Sequence, residues 1–261
     1  MCNSRRGDRA VSIDPVREEE GVNNQQHPRP KFTYLGHATV RCDLPGGEVV
    51  LIDPWVSHNP RCPDKLKTFE RLDAILITHG HSDHMGDAVE IAKRYKPERI
   101  VAGFEICQWL TAKGVENCSG MNPGGSQEVL GLQVSMVRAD HSSSIEDGDQ
   151  LLYGGVASGF VVRLPGGFTF YHAGDTALFS DMQMLAEIYR PELAFLPIGD
   201  HFTMDPQQAA RACRFLEVRK VIPIHWGTFP LLTGTPPQLV KALEDLGVKC
   251  EVIALEPGET Y

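Results

Sequence analysis

From Lys31 onward the apolar positions fall into short runs, punctuated by Pro, Gly and Asp, that alternate with stretches of helical period. Residues 73–78 form an apolar run that reads as a short buried strand. Shortly after it, Ala88, Ile91, Ala92 and Tyr95 recur at i, i+3, i+4 and i+7, one face of a helix. Strand-like runs at 38–44 and 48–53 are joined by Pro45-Gly46-Gly47, a hairpin signal. A second pair, 159–164 and 168–171, is joined by Pro165-Gly166-Gly167. The two hairpins echo each other, each carrying Leu-Pro-Gly-Gly and then a β-rich run ending in an aspartate, Asp53 or Asp175. Any hairpin needs such a turn, so the echo is only weak support for a duplicated half. Further strands are expected at 99–102, 128–130, 132–139, 193–198, 221–224 and 251–255, and helices at 105–112, 181–189, 206–216 and 236–246. Residues 56–70 and 119–126 read as loops. Residues 1–30 are polar and without period, which predicts a flexible tail ahead of a single domain at 31–261.

A chain of 261 residues and 28.8 kDa is long enough for one large domain of mixed strands and helices with a well-buried core. Its 42% hydrophobic and 23% charged content is ordinary for a globular protein. No apolar run approaches the ~20 residues a membrane helix needs, and the N-terminus lacks the order of a signal peptide. No membrane insertion and a cytoplasmic location are the expectation. The net charge of -9 argues against a broad nucleic-acid-binding surface. The partner to expect is a small-molecule substrate, with assembly of identical subunits left open. Seven scattered cysteines without a C-x-x-C pair speak against a disulfide framework or a zinc ribbon and for free thiols.

The chemistry concentrates in His79-Gly80-His81-Ser82-Asp83-His84, on the turn leaving the strand at 73–78. Strand ends are where α/β architectures place their sites. His79 and His81 are two apart and would diverge on a helix, so they converge only in extended or loop backbone. That excludes the helical His-Glu-x-x-His arrangement. Asp83 and His84 are adjacent and also diverge, so one metal could hardly collect all four side chains, whereas two neighbouring metals could. His141, Asp175, His201 and His225 each fall just past a strand-like run. Alone, each reads as a core histidine or a turn aspartate. Together with the central motif they read as a metal site.

His-x-His-x-Asp-His at 79–84, with His141, Asp175 and His225 after later β-runs, resembles the metallo-β-lactamase superfamily. Tyr34-Leu35-Gly36-His37-Ala38-Thr39, Asp53-Pro54, His141-Ser142-Ser143, Tyr171-His172-Ala173-Gly174-Asp175-Thr176, Gly199-Asp200-His201 and Ile224-His225-Trp226 are similar to one branch. That branch holds largely uncharacterised metal-dependent hydrolases related to ascorbate-6-phosphate lactonase and, more distantly, to N-acyl-phosphatidylethanolamine phospholipase D. The resemblance spans roughly residues 31–258. It implies an α+β fold, a four-layer αββα sandwich with a dinuclear site at one edge of the paired sheets. It also implies that His79, His81 and His141 hold a first metal, that Asp83, His84 and His225 hold a second, and that Asp175 bridges both. Asp53 matches an aspartate that orients a ligand histidine. Asp83, His37 and His201 are the expected catalytic residues, the two histidines as proton donors to the leaving group or as substrate contacts.

Imidazole and carboxylate ligands without cysteine suit Zn²⁺ first, with Mn²⁺ or Fe²⁺ also compatible. Two such ions would hold a hydroxide at neutral pH that attacks carbon or phosphorus. The expected activity is hydrolysis of a small ester or lactone, phosphorylated or not. The alternatives are a phosphodiesterase acting on nucleotides, RNA ends or phospholipid head groups, a redox-active di-iron protein, and a non-catalytic metal-binding module.

Overall fold

The structure is a computed structural model that describes residues 29–261. The tail expected at 1–30 therefore lies outside the described residues except for Arg29 and Pro30; Arg29 pairs with Glu192 at 3.0 Å.

The first sheet has six strands in sequential order: β1 (Lys31–Gly36), β2 (Thr39–Asp43), β3 (Val49–Ile52), β4 (Ala74–Leu76), β5 (Arg99–Gly103) and β6 (Cys118–Met121). Pairing is antiparallel from β1 to β3 and parallel from β3 to β6. Helices α1 (Ser82–Met85), α2 (Ala88–Tyr95) and α3 (Phe104–Ala112) belong to this half. The chain then runs through β7 (Ser126–Val129) and β8 (Leu132–Arg138) and leaves the sheet for a separate hairpin, β9 (Ser144–Asp147) and β10 (Gln150–Tyr153). It returns as β11 (Ser158–Arg163), β12 (Thr169–His172), β13 (Leu193–Pro197), β14 (Lys220–Ile224) and β15 (Glu251–Val252). The second sheet has the order β15-β14-β13-β12-β11-β8-β7, parallel from β12 to β15. Helices α4 (Met182–Tyr189), α5 (Pro206–Leu216) and α6 (Pro236–Asp245) accompany it.

Burial explains the layering. Phe32, Tyr34, Val40 and Ile52 from the first sheet share one core with Val134, Met136, Phe160, Phe170 and Phe195 from the second. The Phe32 ring stands edge-on to Phe170 at 4.9 Å and to Phe195 at 5.1 Å. On the other face of the first sheet, Leu51, Ile75 and Ile77 pack with Ile91, Ala92, Ile106 and Leu110 of α2 and α3. On the other face of the second, Val161, Ala194, Leu196 and Val221 pack with Leu185, Ala209, Cys213 and Leu239 of α4 to α6. Central strands are thus apolar on both faces, which is why 74–77 reads as a continuous run and not as an alternation. The fold is the αββα sandwich. Helix boundaries follow local chemistry: Asp205 caps α5 by accepting from Gln208 N at 2.7 Å, and Thr235 with Gln238 forms a capping box on α6.

The two Leu-Pro-Gly-Gly turns are built alike. Gly47 N donates to Leu44 O and Gly167 N to Leu164 O, both at 2.9 Å. Each turn feeds a strand, β3 or β12, whose next residues include Asp53 or Asp175. Beyond β1, which was not among the expected strands, three differences from the sequence reading stand out. Strand β6 lies where a loop was expected, because an edge strand needs few apolar side chains once β5 supplies the ladder. Hairpin β9–β10 was not expected: its apolar run is only Leu151-Leu152-Tyr153, amid polar and glycine residues, and Leu151 and Tyr153 are exposed. Asp83 and His84 sit on the short helix α1, one turn long, and not on a loop.

Close packing where the sheets meet gives a test. Gly174, at φ +60, has no room for a Cβ, which would lie 2.7 Å from Thr78 Cβ and 2.9 Å from Ser158 O. Gly47, at φ +94, has nothing within 4 Å. Gly174→Ala should cost about 2–4 kcal/mol from overpacking plus left-handed strain, and Gly47→Ala only the strain of about 1–2 kcal/mol. Equal denaturant midpoints for the two variants would contradict this packing.

Candidate metal centre

Asp53 follows β3 in a left-handed conformation, φ +52, and is fully buried. Its Oδ1 accepts from Thr78 N at 2.8 Å, and its Oδ2 accepts from Thr78 Oγ1 and from His84 Nδ1, each at 2.8 Å. Thr78 Oγ1 in turn lies 3.0 Å from His79 Nδ1, and because its own proton goes to Asp53 it accepts there. One carboxylate therefore orients both His79 and His84, leaving Nε2 of each turned inward. Ser158 N and Oγ hold the carbonyl of Thr78 at 3.1 and 2.9 Å, tying the end of β4 to the start of β11 across the two sheets.

Around this hub the distant segments converge. Asp175 Oδ2 lies 3.0 Å from His225 Nε2, 3.2 Å from His84 Nε2, 3.5 Å from His141 Nε2 and 3.9 Å from His79 Nε2. His79 Nε2 and His81 Nδ1 are 3.0 Å apart. The donor atoms of His79, His81 and His141 lie within 4.8 Å of one another, as do those of His37, Asp83, His84 and His225, and those of His79, His84 and Asp175. Asp83, partly exposed at 28%, and His141 at 13% form the open side, while His79, His84, His225 and Asp175 are closed off.

The donor set fits divalent cations. Three of the five buried side-chain N or O atoms without a hydrogen-bond partner among the described residues are here: His84 Nε2, Asp175 Oδ1 and His225 Nδ1. Two imidazole lone pairs facing each other at 3.0 Å repel unless a proton or a cation stands between them. Burial pushes the pKa of His79 well below its ordinary value and lowers His81 and His141, so the imidazolium forms are disfavoured and each ring keeps one nitrogen lone pair that a cation can take. His84 is the exception: burial would lower it, but the carboxylates of Asp175 and Asp53 hold it well above the ordinary value. Burial would likewise raise Asp175, yet His225 and His84 keep its carboxyl well below the usual range.

The remaining sequence candidates divide. His37 is fully buried, its Nε2 3.0 Å from Asp83 Oδ2 and its Nδ1 3.0 Å from Thr228 Oγ1, and burial lowers its pKa to about 4. The hydrogen bond from His37 and the charge of His84 outweigh burial and hold the Asp83 carboxyl down. His201 is not drawn into the cluster. It is exposed at φ +58 and stacks edge-on with Phe202 at 4.4 Å, on a loop joined to the Asp175 segment through Met204 N and Thr176 O at 3.2 Å. His172 donates from Nε2 to Ala38 O and accepts from Gly174 N, which steadies the turn before Asp175. Thr78, Ser158 and Thr228 were missed, since a lone hydroxyl carries no spacing signal. A Thr directly before the first histidine was the one available cue.

Residues 48–226 match the family described as the beta-lactamase superfamily domain, and the chain belongs to that superfamily, among its metal-dependent hydrolases. A UPF0173 metal-dependent hydrolase of Koribacter versatilis (strain Ellin345) is 52% identical over 231 residues, 88% of this chain and 97% of the relative. Another, from Rubrobacter xylanophilus, is 48% identical and covers 88% of this chain and 95% of its own length. The solved structure of Igni18, a metallo hydrolase from Ignicoccus hospitalis, is similar at a TM-score of 0.77 and 38% identity, covering 89% of this chain and 97% of that one.

Protonation of these histidines has a measurable consequence in metal-free protein. His37, His79, His81, His141 and His172 have lowered folded pKa values, so below the unfolded value of ~6.5 the unfolded chain takes up protons that the fold refuses. His84, raised, works the other way and stabilises the fold at low pH. Five groups outweigh one, and the lowered carboxylates Asp83 and Asp175 lose their contribution only below this window. The unfolding temperature of chelator-treated protein should fall steadily from pH 7 to pH 5; a flat or rising profile would contradict the burial of these rings.

Proposed function

We propose that this chain is a hydrolase carrying two divalent cations, Zn²⁺ by preference, and that it cleaves a small ester or lactone, phosphorylated substrates included. The supporting observation is the position of Asp175, whose Oδ2 lies within 3.9 Å of imidazole nitrogens from both donor triads. On this reading His79, His81 and His141 would hold one ion, Asp83, His84 and His225 the other, and Asp175 would serve both. Cations bound there supply an activated water with a pKa lowered towards ~7 and a Lewis acid for the scissile group. The protein's own part is to fix tautomers and exclude water. Asp53 and Thr78 hold a proton on Nδ1 of His79 and His84, so that Nε2 is the nitrogen each would offer to a cation, and the buried walls leave the approach open on the side of His81, Asp83 and His141. His201 is exposed on a loop outside the donor cluster, and as proton donor to a leaving group it would act on a substrate that extends to that loop.

His81→Ala and Asp175→Ala should each abolish turnover while circular dichroism stays that of the parent. His201→Ala should lower kcat about 10²-fold with metal content by elemental analysis unchanged. Unaltered kinetics would remove its role. A panel of lactones, carboxylic esters and bis-p-nitrophenyl phosphate tests the substrate class, and cleavage of the phosphodiester alone would overturn it.

A further inference from the structure

The cluster that includes His37 invites the reading that His37 is itself a ligand, since its donor atom lies within 4.8 Å of those of Asp83, His84 and His225. The hydrogen bonds argue otherwise. The Asp83 carboxylate can only accept, so the Nε2 that faces its Oδ2 at 3.0 Å carries the proton and has no lone pair to offer. Nδ1 faces away, 3.0 Å from Thr228 Oγ1; the hydroxyl's other acceptor, Trp226 O, is farther at 3.4 Å. The ring cannot turn. It is fully buried between His225 at 4.0 Å, Trp55 at 5.2 Å and Phe229 at 5.4 Å. Its carbonyl accepts from His225 N at 2.6 Å and from Tyr34 Oη at 2.9 Å. Through side chain and backbone together, His37 touches both Asp83 and His225.

We infer that His37 is a positioning residue for the Asp83–His84–His225 ion, donating from Nε2 to Asp83 while its Nδ1 accepts from the Thr228 hydroxyl. This rests on the ligand role given above to Asp83. A carboxylate held by one oxygen presents the other oxygen to the cation in a fixed direction, and removing such a partner weakens metal binding about 10- to 100-fold. Without the His37 donor, Asp83 Oδ2 loses the bond that fixes it and the carboxylate is free to rotate away from the direction it presents to the cation. His37 thus acts on the cation through Asp83, from a ring that never touches it.

The test uses the full chain stripped of metal. Long-range proton–nitrogen spectra should show His37 as the Nε2–H tautomer in wild type and in Thr228→Val alike, because Asp83 still accepts from it. Zn²⁺ titrated against a chromophoric chelator should bind to His37→Phe with one of its two affinities weakened about 10- to 100-fold, and to His37→Gln, which keeps an N–H for Asp83, more nearly as to wild type. Circular dichroism checks the fold. An Nδ1–H tautomer in wild type, or unchanged affinities in folded His37→Phe, overturns the inference. A wild type that binds two ions but hydrolyses no ester, lactone or phosphodiester defeats the proposed function and leaves this inference intact.

Discussion

A buried carboxylate must be given its hydrogen bonds or it will not stay charged, and the fold's answer to that constraint at Asp53 shapes everything around the site. The three donors that satisfy Asp53 come from β4's exit and from α1, so meeting its demand fixes where the first sheet ends and how the next turn starts. The same three contacts decide which nitrogen of His79 and His84 carries a proton. Structural satisfaction and chemical readiness are one set of bonds.

Asp175 is the contrasting case. It follows β12 as Asp53 follows β3, after the same turn and from the equivalent place in the other half. Yet its Oδ1 has no protein donor, and its Oδ2 faces imidazole nitrogens. Two similar half-folds facing each other bring their aspartates to one edge of the sandwich. There one is satisfied by the protein, and the other faces the imidazoles of the donor cluster. The identical turn bonds at Leu44–Gly47 and Leu164–Gly167 strengthen the reading of a duplication that the sequence echo alone carried weakly.

Most of this was legible from the chain because strands buried on both faces and helices with one apolar face leave strong patterns. Histidines two residues apart cannot share a ligand on a helix, so the local backbone was constrained as well. What stayed hidden has physical causes. Strand β6 and the β9–β10 hairpin are edge or exposed elements whose pairing, not their side chains, makes them strands. Thr228 lies 191 residues from His37, and a single hydroxyl in a loop has no period to announce it. His201 stood out by type and position, but a loop leaving a strand can carry its side chain outward, and this one does.

Three residues of the centre, His37, Asp53 and His225, have φ between +52 and +59, in the left-handed region that non-glycine residues enter at a cost of about 1–3 kcal/mol each. Such strain persists only where surrounding contacts over-determine it. Here they do: His225 N bonds to His37 O, Asp53 N to Leu76 O, and Thr39 Oγ1 to Asp53 O. These bonds belong to backbone and hydroxyl groups and owe nothing to a bound ion. The strained turns are therefore held by the sandwich itself, and the donor side chains of the cluster are placed without a cation's help. A site prepared in this way spends less of the cation's binding energy on ordering loops.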